Sequence, residues 1–311
     1  MPHSLTLAES TAPDPAEVAA ITVLVHEAAA VDGFPGLNEA ALLHLRHPRA
    51  GVVHLLAQER GTLVGYAQLD AGASTAVSTG QIVVRPARRR QGVGRALLQE
   101  LLRRSPSPLR LWAMGDSPAA QALAAGQHLV ATRELLVMTR GLADPLPSTP
   151  PPPGTTIRTF EVGRDEDEWL RVNARAFRDH PEQGRLTRAD LADRMAESWF
   201  DPAGFFLAVS TGATPASPRP VGSSSGPSIT GFHWTKQHAD RLGEVYVLGV
   251  DPSAGRAGLG RALLSRGLTH LRQRGNTSVQ LYVEAEHERA VALYAGSGFT
   301  VASRDVMYAS P

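Results

Sequence analysis

The chain carries one run of residues twice, 166 positions apart. VRP at 84–86 matches VDP at 250–252, and GVGRALL from Gly92 matches GLGRALL from Gly258. A period this long exceeds that of any stacking repeat, so it indicates duplication of a whole domain. The 311 residues also suit two domains of ordinary size better than one. We therefore expect two copies of a single fold.

Each copy of the run has the pattern of a buried strand, a glycine-rich turn and a helix. In the second half the strand covers residues 245–250, and the turn contains Gly255, Gly258 and Gly260. Such a turn directs backbone N–H groups and the positive end of a helix at one point. Glycine allows the backbone to approach closely there. The pattern therefore predicts an anion site, most often for phosphate.

The same order of elements is expected around both turns. Residues 52–59 and 62–70 form a predicted hairpin of two strands joined at Arg60-Gly61. Helices are predicted over 16–30, from the N-cap Asn38 to 47, over 166–177, and from the cap Thr187 to Phe200.

A proline-rich run at 144–155 predicts a stiff linker. It separates an N-terminal domain, 1–143, from a C-terminal domain, 156–311. A low-complexity run at 210–228 predicts a hairpin tip.

Composition argues against several classes of protein. The net charge is +1, which gives no general attraction to nucleic acid or acidic membrane. The arginine run 88–90 lies inside the phosphate turn, so it does not indicate nucleic-acid binding. There is no cysteine, and the eleven histidines show no metal-ligand spacing. No apolar run is long enough to cross a bilayer, and the start lacks a signal-peptide pattern. We expect a cytoplasmic monomer without a metal, nucleic-acid or membrane partner.

The turn in the first half, RRQGVG at 89–94, has the form Arg/Gln-x-x-Gly-x-Gly. The second copy, GRAGLG at 255–260, departs from it because Gly255 stands where Arg or Gln is usual. Leu293, Tyr294, Gly298 and Phe299 follow with the spacing of a Leu-Tyr-x-x-x-Gly-Phe ending. Together these motifs resemble the GNAT acetyltransferases. The resemblance implies an α/β fold of two tandem GNAT domains, each a mixed twisted β-sheet flanked by helices.

The resemblance further implies that acetyl-CoA is the co-substrate and that its pyrophosphate lies on the turn. His287 stands where these enzymes usually carry an asparagine that contacts CoA. The implied contacts are Ile82, Val83, Val84, Arg90, Gln91, Gly92, Val93, Gly94, Arg95, Leu248, Gly249, Val250, Gly255, Arg256, Ala257, Gly258, Leu259, Gly260, Arg261, His287 and Arg289.

Glu244 and Tyr294 distinguish the two halves. By the resemblance Tyr294 protonates the leaving thiolate, and Glu244 is a candidate general base for the attacking amine. The 166-residue offset of the turns places Ser78 opposite Glu244, and the 171-residue offset of the Arg133 and Arg304 match places Leu123 opposite Tyr294. The first half then lacks both groups, which indicates one active site, in the second half. The structural alternatives are a solvated carboxylate at a strand end and a helix residue packed on the sheet.

Longer motifs narrow the resemblance. NARAFRDHPEQG at 173–184, ESWFDPAGF at 197–205, GFHWTKQHAD at 231–240 and GEVYVLGVDP at 243–252 resemble the mycothiol acetyltransferase family of actinobacteria. That family implies transfer to the cysteinyl amine of the desacetyl precursor, Cys-GlcN-Ins. Two alternatives stay open: a GNAT enzyme for another amine, such as a protein N-terminus or an aminoglycoside, and a non-catalytic acetyl-CoA sensor.

The acceptor is an amine on a polyol, so its pocket should offer carboxylates and a few donors. Glu39 would reach that pocket from the first half, and it is otherwise a solvated helix residue. The candidates that the resemblance implies are Glu39, Glu182, Lys236, Glu244, Tyr282 and Glu284.

Overall fold

The computed structural model describes residues 5–72, 77–180, 183–210, 228–254 and 258–310. The strands are β1 (Leu5–Ser10), β2 (Val52–Glu59), β3 (Thr62–Asp70), β4 (Ser78–Val84), β5 (Leu109–Ala113), β6 (Val130–Gly141), β7 (Thr155–Thr159), β8 (Phe205–Ser210), β9 (Ser228–Gln237), β10 (Leu242–Val250), β11 (Ser278–Glu284) and β12 (Thr300–Ala309). The helices are α1 (Pro15–Asp32), α2 (Glu39–Arg46), α3 (Val93–Arg104), α4 (Pro118–Ala125), α5 (Glu166–Ala176), α6 (Arg188–Met195), α7 (Leu259–Gln273) and α8 (Glu288–Ala295).

The chain divides into two compact units. The first comprises Met1–Leu136 and Ser303–Pro311, and the second comprises Val137–Ala302. The first unit therefore includes the last residues of the sequence, and β6 and β12 each change unit along their length. The domain limits 1–143 and 156–311 follow the proline-rich linker instead, and they stay a prediction.

The first unit has a mixed sheet. Strands β1 to β4 pair antiparallel in sequence order. β5 then pairs parallel with β4, and β12 pairs antiparallel with β5 from Val306 onward. Helices α1 and α2 pack on one face through the cluster that contains Ile21 and Leu24. Helix α3 packs on the other face through Leu97 and Leu101.

The second unit repeats this plan. Strands β7 to β10 pair antiparallel in order, and β11 pairs parallel with β10. Trp169 of α5 and Leu191 of α6 pack on one face, where they bury Trp234. Leu259 and Leu263 of α7 pack on the other. Two mixed sheets flanked by helices confirm the expected fold class.

A β-bulge distinguishes the two sheets. In the second unit the register between β10 and β9 shifts between Val245 and Val247. In the first unit β4 pairs with β3 without a shift. The extra residue turns Val247 to the α5 face, and Leu248 then packs on the α7 face. Glu244 therefore precedes a change of face along its own strand.

The sequence patterns fix most element boundaries closely. Asn38 and Thr187 cap their helices as expected, accepting hydrogen bonds from Ala41 N and Asp190 N. Two expectations differ. β1 was not expected from the sequence, and α6 ends at Met195 because the aromatic residues that follow pack into the core. Of the low-complexity run, 211–227 lies outside the described residues.

Neither a membrane span nor a metal cluster emerges within the described ranges. Every helix there is too short or too polar to cross a membrane. No group of three or more potential ligands comes together there as a metal site.

Candidate active site

A pair of parallel strands separates at the centre of each unit. In the first, β4 and β5 pair from Ser78 with Leu109 to Gly80 with Leu111. In the second, β10 and β11 pair from Leu242 with Ser278 to Glu244 with Gln280. Both strands of each pair continue beyond these residues. Beyond the paired residues, the two strands of each pair no longer bond to each other. A gap opens between them, and a ligand can enter it.

In the first unit this gap is a cleft of about 570 Å³. The turn beneath it has the left-handed conformation at Arg90 and Gly92, with φ of 62° and 90°. Helix α3 begins directly after, at Val93. Residues expected to contact acetyl-CoA that line the cleft are Ile82, Val83, Val84, Arg90, Gly92, Gly94 and Arg95.

The arginines of the first turn have different partners. Arg89 donates to both oxygens of Asp32, at 2.6 and 2.8 Å, and to the Val84 carbonyl. Arg88 forms an ion pair with Glu59. Arg90 and Arg95 are exposed. The first two therefore hold the turn in place, while the cleft's positive charge comes from Arg90 and Arg95 together with the end of α3.

The turn of the second unit has the same geometry where it is described. Gly258 has φ of 90° and caps α7, which begins at the buried Leu259. Gly260 faces Val250 and Leu293, as Gly94 faces Val84 and Leu123 in the first unit. Gly255, Arg256 and Ala257 lie outside the described residues. Arg261, His287 and Arg289 are exposed around the turn and the start of α8. The residue types and backbone geometry in both units fit the pyrophosphate of acetyl-CoA.

Glu244 is buried at the last position where β10 pairs with β11, with a side chain 9% exposed. Its cross-strand neighbours are Lys236 on β9 and Gln280 on β11. Gln280 Nε2 donates to Oε2 at 3.2 Å, and His238 Nε2 lies 2.6 Å from the same oxygen. The carboxylate is thus enclosed by one amide and two basic side chains.

These neighbours keep Glu244 ionised. Burial alone would raise the pKa of the carboxyl group. The hydrogen bond and charge of His238, the charge of Lys236 and the Gln280 hydrogen bond outweigh it and hold the pKa of Glu244 below its usual value. A buried carboxylate that is charged at neutral pH can accept a proton from an amine.

Lys236 is held by aromatic side chains. Its Nζ lies 4.4 Å from the ring centroid of Trp199 and 5.3 Å from that of Tyr246. Arg194 of α6 donates to the Tyr246 hydroxyl at 2.8 Å. Cation–π contacts of this kind fix a cation without neutralising it. Trp234 is fully buried in the core, whereas Trp199 is half-buried beneath the Lys236 ammonium.

Tyr294 lies near the end of α8 and is 7% exposed. Burial raises the pKa of its hydroxyl, so the group stays protonated. Its carbonyl accepts from Phe299 N, and the Ala124 carbonyl accepts from Leu129 N in the same way. Ala124, not Leu123, is therefore the structural equivalent of Tyr294. The 171-residue offset, which placed Leu123 opposite Tyr294, was therefore wrong by one residue.

The equivalence of Glu244 also changes by one residue. Thr79 pairs with Arg110 on β5 as Glu244 pairs with Gln280 on β11. Because the bulge adds a residue to β10, Thr79 rather than Ser78 holds the place of Glu244. Neither Thr79 nor Ala124 supplies an acid or a base, so the difference between the halves remains.

The structure describes five of the six expected acceptor residues. Glu182 is outside the described residues, but its flanks are tied to α5: buried Asn173 donates to the Gln183 carbonyl at 2.6 Å. Tyr282 and Glu284 follow Gln280 along one face of β11, and His180 Nε2 lies 3.8 Å from Glu284 Oε1. Glu39 begins α2 in the first unit. The structure thus brings Lys236 and Glu244 together and places Tyr282 and Glu284 on the next strand.

His238 is a site residue that the motifs did not indicate. It lies directly after β9, at the start of the β9–β10 turn, and its backbone N–H donates to the Leu242 carbonyl at 2.8 Å. The hairpin turn contains Asp240 and Arg241, both left-handed. Strand alternation could have found it, because His238 lies two residues after Lys236, and so on the same face.

Comparison with known proteins identifies the family and the fold. The model of the Acetyltransferase (GNAT) family matches residues 23–127 and 168–299, one match in each half. Two solved structures have the same fold over nearly the full chain. A tandem GNAT protein from the clavulanic acid biosynthesis pathway is 18% identical, with a TM-score of 0.73 and coverage of 98% of both chains. A GCN5-related N-acetyltransferase from Sphaerobacter thermophilus is 25% identical, with a TM-score of 0.68 and coverage of 97% of this chain and 95% of that one.

Sequence relatives are more similar still. A mycothiol acetyltransferase of Thermomonospora curvata is 50% identical over 95% of this chain and 94% of its own. Those of Catenulispora acidiphila and Streptomyces coelicolor are each 46% identical, over 95% and 99% of this chain and 96% and 95% of theirs. With matches of this extent to both halves, the chain belongs to the GNAT acetyltransferase family, within its mycothiol acetyltransferase group.

Proposed function

We propose that the chain transfers the acetyl group of acetyl-CoA to the cysteinyl amine of Cys-GlcN-Ins, which gives mycothiol and CoA. One observation supports this most directly. The second unit carries a buried, ionised carboxylate, Glu244, at the point where β10 and β11 separate. Relatives that are 44–50% identical over nearly the whole chain are named for this acetyltransferase activity.

Glu244 is the proposed general base. An α-amine has a pKa of about 7.7–8.0, so a substantial part of the acceptor is protonated at neutral pH. Glu244, held ionised by His238 and Lys236, accepts that proton directly or through one water. The amine nitrogen then forms a bond to the thioester carbonyl carbon. The chain has no cysteine to carry an acyl group, which favours direct transfer.

Tyr294 and the end of β10 complete the proposed machinery. As the carbon–sulfur bond breaks, the neutral Tyr294 hydroxyl donates its proton to the thiolate of CoA, and the second proton that the amine nitrogen loses restores the hydroxyl. A backbone N–H of Leu248, Gly249 or Val250 stabilises the oxyanion, an effect worth about 3–4 kcal/mol in other enzymes. Close packing requires glycine at position 249, because a Cβ there would lie within 3.0 Å of the rings of Phe232 and Phe177.

The first unit is proposed to bind acetyl-CoA without catalysing transfer. Its cleft carries Arg90, Arg95 and the start of α3, but Thr79 and Ala124 hold the places of base and acid. A monomeric state and a cytoplasmic location stay predictions, as do acceptor contacts from Glu39 and Glu182.

The direct test incubates the protein with acetyl-CoA and Cys-GlcN-Ins and measures free CoA together with the N-acetylated product. Parallel reactions contain a peptide with a free N-terminus or an aminoglycoside. We expect one acetylated product per CoA released with Cys-GlcN-Ins, and a much lower rate with the others. Turnover of a peptide or aminoglycoside alone would assign the chain to another amine. Acetyl-CoA binding without any turnover would favour a sensor.

A further inference from the structure

Glu244 and His238 form a close pair that the assignment of base and acid does not explain. His238 Nε2 lies 2.6 Å from Glu244 Oε2, and the imidazole is 31% exposed while the carboxylate is 9% exposed. One member of the pair thus meets solvent and the other is buried. Gln280 also donates to Oε2. His238 and Gln280 therefore both contact Oε2, and neither of these contacts gives a role to Oε1.

The hairpin between β9 and β10 creates this pair. Glu244 lies opposite Lys236, and His238 lies opposite Leu242, with three residues in the turn between. His238 therefore stands on the same face as Glu244, one cross-strand position away. The left-handed residues Asp240 and Arg241 make this tight turn possible.

The three polar side chains around Glu244 act on its carboxylate in different ways. Lys236 faces it across β9, but its ammonium is drawn over the Trp199 and Tyr246 rings. Gln280 on β11 is neutral. Among these three, only His238 acts on Glu244 through both a hydrogen bond and a charge.

We propose that His238 is a positioning residue for the reaction: its imidazole holds Glu244 through Oε2 and presents Oε1, ionised, to the acceptor amine. This inference rests on the proposed function of Glu244 as the base. His238 does not touch the reacting atoms. The hydrogen bond and the charge of His238 both oppose protonation of Glu244.

Two variants separate the hydrogen bond from the charge. His238→Ala removes both, and His238→Gln keeps a donor near Oε2 but has no charge. His26→Gln, at an exposed position of α1, is the matched control. The first readout is kcat/KM for Cys-GlcN-Ins from pH 5 to 9 with saturating acetyl-CoA. We expect the loss of kcat/KM in His238→Ala, measured against wild type, to be about tenfold or more greater at pH 5 than at pH 9. The reason is that Glu244 takes up a proton at a higher pH in this variant than in wild type. His238→Gln should lie between the wild type and His238→Ala.

The second readout requires no turnover. Protein labelled with ¹³C at the glutamate carboxyls is titrated by NMR, and the Glu244 signal is identified by its loss in Glu244→Gln. We expect the Glu244 signal to titrate at higher pH in His238→Ala than in wild type or His26→Gln. An equal midpoint in all three proteins, or equal losses of kcat/KM at pH 5 and 9, would overturn the proposal. If wild type does not acetylate Cys-GlcN-Ins, the proposed function fails, and the titration still decides whether His238 controls Glu244.

Discussion

Tyr294 and Ala124 hold equivalent positions in the two halves of the chain. Each is the next-to-last residue of its helix, and the carbonyl of each accepts the N–H of the residue five positions later. A phenol thus stands in one copy of the fold where a methyl group stands in the other. In the proposed mechanism, this difference decides which copy can protonate a leaving thiolate.

Tyr294→Phe should therefore lower kcat with little effect on stability. We expect a loss of about 10²–10³-fold in kcat, the usual contribution of a positioned proton donor. The matched control is Tyr66→Phe in the first unit, where the hydroxyl lies 2.7 Å from His54 Nδ1 and accepts from Gln68 at 3.0 Å. That variant should lose about 1–3 kcal/mol of unfolding free energy and keep its turnover. Equal kcat in wild type and Tyr294→Phe would remove Tyr294 as the acid.

Glu244→Gln should lower activity most where the acceptor amine is protonated. We expect kcat/KM to fall by about 10²–10⁴-fold near pH 6.5 and by much less above pH 9, where the amine is already neutral. The low pKa of Glu244 means that wild type keeps an ionised base throughout this range. Parallel pH profiles for the two proteins would show that Glu244 takes no proton.

The first-unit cleft should bind acetyl-CoA through Arg90 and Arg95. Replacing both with alanine should weaken one of two binding sites by tenfold or more, since a hydrogen bond to a charged group contributes about 1.5–3 kcal/mol. Turnover should change by less than about twofold, because the proposed catalytic groups belong to the second unit. Calorimetry with acetyl-CoA measures both sites.

Arg103→Ala is the control for this change, because it removes a cation from the last turn of the same helix. Its binding curve should match that of wild type. Binding curves for the double variant that also match wild type would show that phosphate recognition there does not use these arginines.

His233 should make the protein less stable in acid. It is fully buried, its Nδ1 lies 2.8 Å from the Leu263 carbonyl, and burial lowers its pKa to about 4. The unfolded chain, with a histidine pKa of about 6.5, binds a proton first as pH falls. Unfolding free energy should therefore drop between pH 6.5 and 4, by about 3 kcal/mol from this residue.

Urea unfolding at pH 7 and pH 4.5 tests this. His233→Asn keeps a donor for the Leu263 carbonyl but cannot titrate, so its stability should depend less on pH, whatever its value at pH 7. The exposed His26→Asn should follow wild type. An unchanged difference between the two pH values in His233→Asn would contradict the expected role of the buried imidazole.

Much of the fold could be predicted from local patterns. The glycine turns, the Asn38 and Thr187 caps and the alternation of β2 and β3 all depend on residues that are close in sequence. Because the sequence carries two copies of the fold, a pattern in one half could be compared with the corresponding pattern in the other. β1 was not predicted because its short sequence, LTLAES, has a solvent-facing pattern that depends on pairing with β2, about 50 residues away.

The site was harder to predict because it depends on register. A single bulge residue in β10 moved the equivalent of Glu244 from Ser78 to Thr79, and no residue type marks a bulge in advance. His238 was missed for a related reason. Its contact with Glu244 requires a tight turn formed by Asp240 and Arg241, neither of which is glycine or asparagine.

The last residues of the chain belong to the first unit, and this has a consequence for synthesis on the ribosome. Asp305 accepts a hydrogen bond from Gly115 N at 2.8 Å, and Tyr308 donates to Asp116, so the loop after β5 depends on residues about 190 positions later in the sequence. At about 5–20 residues per second, the ribosome needs roughly 8–33 seconds between Leu136 and Ser303. During that time β5 lacks the strand β12, which later pairs along its edge. The first unit therefore completes its sheet only after β12 has been synthesised, although most of its residues precede the second unit in the sequence.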